Sequence, residues 1–182
     1  MDTTTRAVAA LERLVRDIPD FPEPGVLFKD ITPVLADPLA FGEVVEALAA
    51  AGRDAAGATV VDRVVGMEAR GFLLGAPVAL ALGVGFVPVR KPGKLPAARH
   101  TISYDLEYGS STLEIHQDAV ATGDRVLVID DVLATGGTVA ATAELVRRCG
   151  ADVHAVAVLM ELSFLPGRAT AGDLPLTALL TV

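Results

Sequence analysis

The spacing of apolar residues divides this 182-residue chain into helices that alternate with strands. Repeats of three and four residues predict helices at residues 4–15, from 37 onward, from about 71 to 82 and at 138–149. Short runs of branched apolar residues predict buried strands at 60–65, 84–89, 126–129, 153–159 and 176–182. Strands alternating with helices predict an α/β fold with an open parallel sheet flanked by helices on both faces.

Three segments depart from this pattern. Residues 19–30 contain three prolines and a glycine, which predicts an irregular excursion. Residues 97–116 are polar with short alternating pieces, which is typical of a mobile hairpin or flap. Residues 161–171 have the least informative pattern. Because no repeat or charge block divides the chain, we expect one domain over residues 1–182.

The apolar composition raises the question of a membrane span, since 52% of the residues are hydrophobic. The longest uncharged stretch, residues 71–89, is punctuated by glycine and proline, which suits a buried helix and strand better than a lipid-facing helix. We expect no signal peptide and no membrane attachment. A single cysteine, Cys149, excludes an internal disulfide and indicates a reducing cytoplasm.

Charge is unevenly distributed along the chain. The net charge of −8 argues against a nucleic-acid surface. All three lysines, Lys29, Lys91 and Lys94, lie in short segments marked by proline or glycine rather than on the predicted helices. This distribution predicts a local concentration of positive charge at a site. The three histidines have no metal-ligand spacing; they are His100, His116 and His154.

The most informative motif occupies residues 125–138. Its apolar run, 126–129, ends in two carboxylates, Asp130 and Asp131, and a glycine-containing turn at 134–138 precedes a helix. This geometry holds a phosphate, because the N–H groups of the turn and of the helix N-terminus point at the anion. Paired acids at the carboxyl end of such a strand lie where ligands of open α/β sheets bind. The glycine spacing is neither that of the triphosphate loop nor that of the dinucleotide motif.

Together with four other segments, this motif resembles those of the type I phosphoribosyltransferases, and of the adenine phosphoribosyltransferases in particular. The signature at 130–138 indicates only the wider family. The Phe-Pro-x-Pro-Gly-x-x-Phe-Lys-Asp pattern at 21–30 and the Leu-Glu-Tyr-Gly pattern at 106–109 are more specific to the adenine enzymes. Residues 68–72 and 90–96 also match, so the resemblance covers nearly the whole chain.

The resemblance implies a fold, a reaction and an assembly. The fold is the phosphoribosyltransferase sheet with a small N-terminal hood at about 19–35 and a flexible flap at about 96–116. The reaction converts adenine and phosphoribosyl pyrophosphate into AMP and pyrophosphate with Mg²⁺. In the family, substrate oxygens and water hold the metal, so we expect no protein metal ligand. A homodimer is implied as well.

Phosphoribosyl pyrophosphate presents three groups that the chain would have to bind. Asp130 and Asp131 would accept hydrogen bonds from the two ribose hydroxyls. The 5′-phosphate would lie in the turn made of Ala134, Thr135, Gly136, Gly137 and Thr138. The resemblance assigns pyrophosphate to Glu68, Ala69, Arg70, Lys91 and Lys94. In relatives, the loop that corresponds to residues 68–70 contains a non-proline cis peptide. Other members of the family have Ser at the position of Ala69.

The resemblance places adenine against the hood. The ring of Phe28 would stack on the base, and backbone groups of Leu27 and Lys29 would read its edge. The alternative, that Phe28 belongs to the core, stays open. Some relatives carry Arg at position 29; Lys29 keeps the positive charge but lacks the planar guanidinium.

Catalytic assistance is assigned to the flap and to the pyrophosphate loop. Glu107 would act as acid or base at a purine ring nitrogen, with Arg70 stabilising the leaving pyrophosphate, and Tyr108 would help close the site. Alternatively, Glu107 is a solvated loop charge. Arg90 would reach across a dimer interface or would be a surface charge.

Two other functions remain open. The chain could use hypoxanthine, guanine or xanthine as its base, although the hood motif at 21–30 argues against those enzymes. It could also be a non-catalytic sensor of phosphoribosyl pyrophosphate that regulates transcription. Such a sensor would need a DNA-binding segment, which the acidic sequence does not suggest.

Overall fold

The computed structural model describes residues 2–105 and 110–182. The chain clusters into two compact units, Met1–Ala47 and Leu48–Val182. The sheet and the phosphate motif belong to the second unit, and the hood segment belongs to the first.

The first unit is mostly helical. Its elements in chain order are α1 (Thr3–Leu14), β1 (Arg16–Pro19), β2 (Leu27–Asp30), α2 (Thr32–Ala36) and α3 (Pro38–Ala49), the last of which crosses the boundary. The start of α3 confirms the predicted cap, because the Asp37 carboxylate accepts hydrogen bonds from the N–H groups of Leu39 and Ala40, both at 3.0 Å.

The hood is more regular than its prolines predict. β1 and β2 form an antiparallel hairpin in which Ile18 is paired with Phe28. Two ion pairs cross it, Arg16 to Asp30 at 2.6 Å and Lys29 to Asp17 at 2.7 Å. The prediction that residues 19–30 are irregular was therefore wrong for β2 and for Pro19, the last residue of β1.

The second unit alternates strands and helices. After a 3-10 turn (Ala50–Gly52), its elements are β3 (Arg63–Met67), α4 (Arg70–Leu82), β4 (Gly85–Val89), β5 (Arg99–Asp105), β6 (Ser110–His116), β7 (Arg125–Leu133), α5 (Gly137–Arg148), β8 (Asp152–Glu161), α6 (Gly167–Ala171) and β9 (Leu176–Thr181). The strand predicted at 60–65 begins later, at Arg63. Before it, the N–H of Val60 donates to the carbonyl of Gly52, and the N–H of Asp62 donates to that of Arg125.

Five of these strands form one parallel sheet in the order β4-β3-β7-β8-β9. This confirms the predicted α/β class. From β3 the chain passes through α4 to β4 on one side, whereas β7 lies on the other side of β3. The strand order thus reverses between β3 and β7, and the crevice at the carboxyl ends of those two strands is where open α/β sheets bind ligands.

Helices cover both faces of the sheet. Val126 and Val128 of β7 share a buried cluster with Leu145 of α5. Alternate residues of the strand point the other way, and a Cβ added at Gly52 would contact both Leu127 and Leu82 of α4. α4 and β4 occupy the uncharged stretch 71–89 as predicted. Among the described residues, none of the helices combines the length and apolarity that crossing a bilayer requires.

A separate antiparallel hairpin, β5–β6, lies against α5. It confirms the hairpin predicted within residues 97–116, while the mobility of this segment stays a prediction. The guanidinium of Arg148, in the last turn of α5, donates a hydrogen bond to the carbonyl of Thr101 in β5 at 3.0 Å.

Candidate active site

The predicted phosphate turn connects β7 to α5 at the crevice between β3 and β7. Gly136 adopts φ 82° and ψ −8°, a left-handed conformation that favours glycine. A Cβ at Gly136 would lie 2.4 Å from the carbonyl oxygen of Gly167, and a Cβ at Gly167 would lie 2.5 Å from that of Ala134. The turn is therefore backed by the first residue of α6, in a segment whose pattern of apolar residues is uninformative.

The start of α5 suits an anion. The first N–H groups of a helix have no intrahelical partner and carry partial positive charge. Gly136 caps the helix without a side chain, and the first turn contains no acidic residue. Thr135 and Thr138 are partly exposed, so their hydroxyls can add donors. The hydroxyl of Thr138 already contacts that of Tyr104 in β5, at 3.0 Å.

The acidic pair lies against the start of α4. Asp131 is buried, with 4% of its surface exposed, and Nε of Arg70 lies 2.7 Å from its Oδ2. This contact is an ion pair without an aligned hydrogen bond, because none of the described residues donates an aligned hydrogen bond to Oδ2. A Cβ at Gly71 would lie 3.0 Å from Oδ1 of Asp130, so glycine is needed for this close approach.

Burial raises the pKa of both carboxyls. For Asp130, the neighbouring charge of Asp131 raises the pKa further, to well above its usual range. For Asp131, burial raises the pKa although the charge of Arg70 opposes the shift. The N–H of Asp131 donates to Oδ1 of Asp130 at 2.9 Å. Two carboxyls that are difficult to ionise together suit a site that receives hydroxyl donors or a cation.

The loop after β3 contains the cis peptide that the resemblance implied, between Glu68 and Ala69. The Glu68 side chain is 8% exposed and pairs with the ammonium of Lys94 and with Nε of Arg90. It also accepts a hydrogen bond from the N–H of Lys91 at 2.9 Å. Burial alone would raise the pKa of Glu68, but the hydrogen bonds from Lys94 and Lys91 lower it below its usual value. The carboxylate of Glu68 thus anchors the basic loop, residues 90–94.

A second buried acid holds the same basic loop. Glu114 of β6 is 4% exposed, accepts a hydrogen bond from the N–H of Gly93 at 3.1 Å and pairs with Arg99 at 3.0 Å. Its own N–H and carbonyl bond to the backbone of Arg90 at 2.8 and 2.9 Å. The guanidinium of Arg90 lies over the ring of Phe72, so Arg90 is not a free surface charge.

The lysines of the basic loop differ in their partners. Lys94 is paired with Glu68, whereas Lys91 is exposed, and its ammonium forms no ion pair in the part of the chain that the structure describes. Lys91 therefore supplies positive charge that is available to an anion, while Lys94 would have to leave Glu68 or be shared with it.

The residues proposed for the base lie on β2. The ring of Phe28 is partly exposed and makes an edge-to-face contact with Phe21, with ring centroids 5.1 Å apart. Leu27 is 52% exposed. The ammonium of Lys29 is held by Asp17, so its side chain supports the hairpin. Phe28 is thus not a fully buried core residue.

Two predicted flap residues, Glu107 and Tyr108, lie outside the described residues, and their roles stay predictions. The sequence hinted at a site near the two tyrosines but assigned no role to Tyr104, and it did not single out Glu114 or Gly167; the structure brings all three residues to the site. Their contacts depend on the hairpin register and on the packing of α6. The alternating pattern of β6 carries only a weak signal, since Glu114 occupies a position between two apolar residues.

Comparison with known proteins identifies the class to which this fold and site belong. The family model described as "Phosphoribosyl transferase domain" matches residues 34–168. The chain therefore belongs to the phosphoribosyltransferase family, of type I. The matched range includes the phosphate turn, the acidic pair, the loop at Glu68 and Ala69, and the basic loop.

Individual relatives narrow the family further. The chain is 70% identical to an adenine phosphoribosyltransferase of a Nocardioides species, over 93% of this chain and 91% of that protein. A crystal structure of adenine phosphoribosyltransferase from Thermoanaerobacter pseudethanolicus matches with a TM-score of 0.90 and 50% identity, covering 96% of this chain and 99% of that one. The enzyme from Saccharomyces cerevisiae, in complex with adenine and an imino-altritol bisphosphate, matches with a TM-score of 0.91 and 40% identity, covering 97% and 99%. Within the family, the chain falls among the adenine phosphoribosyltransferases.

Proposed function

We propose that this site transfers the 5-phosphoribosyl group of phosphoribosyl pyrophosphate to adenine, which yields AMP and pyrophosphate and salvages the free base. The observation that carries the assignment is the convergence of a phosphate turn, an acidic pair and Arg70 at the carboxyl ends of β3 and β7. The reaction is that of the adenine phosphoribosyltransferases to which the chain is similar.

The ribose 5-phosphate part of the substrate would lie along the turn after β7. The 5′-phosphate accepts hydrogen bonds from the N–H groups of residues 135–138 and from the hydroxyls of Thr135 and Thr138. The 2′- and 3′-hydroxyls donate to Asp130 and Asp131. These donors would replace the water that burial removes from the two carboxylates.

Pyrophosphate would lie between the start of α4 and the basic loop. Arg70 and Lys91 offer positive charge there, and the loop at Glu68 and Ala69 offers backbone N–H groups. Lys94 contributes once the incoming anion competes with Glu68 for its ammonium. Charge develops on pyrophosphate as the bond to C1′ breaks, so cations positioned beforehand lower the barrier.

The ribosyl centre becomes cationic during transfer, so water must be excluded. Glu107 and Tyr108, in the segment that joins β5 to β6, are proposed to close over the site. Glu107 would also take or supply a proton at a purine ring nitrogen. Phe28 stacks on adenine, and the backbone at Leu27 and Lys29 reads the edge of the base.

The residues present fit Mg²⁺ held mainly by the substrate. The buried Oδ2 of Asp131, to which no described residue donates an aligned hydrogen bond, can accept from a metal-bound water. When bound, Mg²⁺ would neutralise the charge of pyrophosphate oxygens. It would retain several coordinated waters, because Mg²⁺ dehydrates reluctantly.

We further propose that the protein forms a homodimer and is located in the cytoplasm. Leu73 and Leu80, one face of α4, are 51% and 82% exposed, and Phe164 is 76% exposed. Large exposed apolar side chains on one unit favour association. The single cysteine suits a reducing compartment.

The test supplies each purine base separately with Mg²⁺ and phosphoribosyl pyrophosphate and follows nucleotide formation. AMP from adenine alone is expected. IMP, GMP or XMP in its place would overturn the assignment of the base. Binding of phosphoribosyl pyrophosphate without any nucleotide product would favour the sensor instead.

A further inference from the structure

We propose that Tyr104 is a positioning residue for the 5′-phosphate, acting through the hydroxyl of Thr138. The inference rests on the proposed function, in which Thr138 contacts that phosphate. It adds a residue of the β5–β6 hairpin to the support of the phosphate turn, although the turn itself belongs to the β7–α5 connection.

The contact joins two hydroxyls whose positions are fixed by different elements. The Tyr104 oxygen lies 3.0 Å from Oγ1 of Thr138. The Tyr104 ring packs against the buried cluster that includes Leu113, Ile115 and Leu145, so the phenol cannot swing freely. Thr138 lies in the first turn of α5. The Tyr104 oxygen is therefore held by the packing of its ring, and the Thr138 oxygen is placed by its position in the helix.

The chemistry of the two groups decides the direction of the hydrogen bond when phosphate is bound. A hydroxyl donates one hydrogen and accepts at two lone pairs, whereas phosphate oxygens mainly accept. The Thr138 proton must therefore point at the phosphate, which leaves its oxygen free to accept from Tyr104. The phenol is the more acidic partner and suits this donor role. A chain of two such bonds polarises the Thr138 proton toward the anion.

The same contact couples the hairpin to the occupant of the turn. β5 is fastened along α5 at two places, by Arg148 to the carbonyl of Thr101 and by Tyr104 to Thr138. Because coupling between sites is reciprocal, phosphate that fixes the Thr138 hydroxyl also favours this position of β5 on α5.

The test is the Tyr104→Phe variant, which keeps the ring and its packing but removes the hydroxyl. We expect the Kd of ribose 5-phosphate and the KM of phosphoribosyl pyrophosphate to rise roughly 5- to 20-fold. The KM of adenine and the melting temperature should change little. The matched control is Ser103→Ala, which removes the hydroxyl bond from Ser103 to Thr112, 2.9 Å long, in the same hairpin.

A double-mutant cycle separates this role from general support of the hairpin. In a Thr138→Val background, Tyr104→Phe should have no further effect on ribose 5-phosphate binding. The proposal is overturned if Tyr104→Phe binds ribose 5-phosphate within twofold of the wild type, or if its effect is equal in both backgrounds. Formation of AMP by the wild type tests the proposed function separately. Failure of the proposed function can therefore be distinguished from failure of the proposed role of Tyr104.

Discussion

Asp130 and Asp131 carry a thermodynamic cost that their proposed role explains. Burial and mutual repulsion raise the pKa of Asp130 well above its usual value of 3.8. Between the ordinary and the raised pKa, the unfolded chain binds fewer protons than the folded one, so the free energy of unfolding falls as pH rises through this window. Ribose hydroxyls or a cation would relieve that cost, whereas the free protein bears it.

Replacing Asp130 by Asn should therefore stabilise the free protein at neutral pH. The amide keeps an acceptor for the N–H of Asp131 and removes the buried charge. The gain in unfolding free energy should be on the order of 1 kcal/mol for each unit of pKa displacement, and it should shrink as pH falls toward 3.8. Urea unfolding at several pH values measures it, with Asp118→Asn, at an exposed position, as control. A gain that does not depend on pH would contradict an origin in the buried charge.

Glu107 is the residue on which the proton-transfer part of the proposal depends. Glu107→Gln keeps its size and removes its acid–base capacity, so kcat should fall roughly 10²- to 10⁴-fold. Steady-state rates at saturating substrates measure the effect, with the exposed Glu12→Gln as control. Less than a threefold change would rule out this role.

The sequence predicted some residues of the site and missed others for a physical reason. Asp130, Asp131 and the phosphate turn lie close together in the chain, within residues 130–138, so their order alone indicates their chemistry. Glu114 and Tyr104 reach the site only through the register of β5 and β6 and through the packing of that hairpin. Glu114 looks like an ordinary strand position until the pairing is known, and the grouping of Tyr104 with Tyr108 does not reveal its partner.

The basic loop shows how neighbouring elements hold a charged segment. Residues 90–94 contain three cations. The carboxylates of Glu68, in the loop after β3, and of Glu114, in β6, bind this segment. The antiparallel backbone pairing of Arg90 with Glu114 connects β6 to the residue that follows β4. The acids keep the cations together in the absence of an anion, and the exposed Lys91 stays available.

Loss of the Glu114 carboxylate should loosen this loop. In Glu114→Ala, the N–H of Gly93 loses its acceptor, and we expect the KM of phosphoribosyl pyrophosphate to rise about tenfold, in line with a lost charge-assisted hydrogen bond. Glu114→Gln keeps an acceptor and should show a smaller rise. Steady-state kinetics at saturating adenine provide the measurement.

The control for this experiment is Glu144→Ala, which removes an exposed α5 carboxylate paired with Arg147 and Arg148. A rise in the KM of adenine with no change for phosphoribosyl pyrophosphate would show that Glu114 supports a different part of the protein.

Element boundaries were predictable where periodicity was uninterrupted. The predicted helix at 138–149 corresponds to Gly137–Arg148, and the run at 126–129 lies within β7. β7 continues to Leu133 because residues after the apolar run still pair with β8. The hairpin of the hood was missed because Pro22, Pro24 and Gly25 dominate its sequence, although they occupy only its turn.

Across the whole molecule, the arrangement of exposed apolar residues supports association. Leu73 and Leu80 are seven residues apart on α4 and lie on one face of the helix. Burial of such side chains in a dimer would remove apolar surface from water. The unit Leu48–Val182 contains both these residues and the phosphate site.

We expect the wild type to sediment at twice its chain mass of 18.8 kDa. Leu80→Glu, which places a charge on this face, should shift the equilibrium toward the single chain, whereas the exposed Gln117→Glu should not. Analytical ultracentrifugation measures both. A wild type that sediments as a single chain at micromolar concentration would contradict the dimer.

A crystal structure of the protein in complex with AMP would test the proposed site most directly. We expect the 5′-phosphate within hydrogen-bond distance of the N–H groups of residues 135–138, the ribose hydroxyls on Asp130 and Asp131, and adenine on Phe28. A phosphate bound to residues 90–94, with the turn after β7 empty, would contradict the assignment of the site.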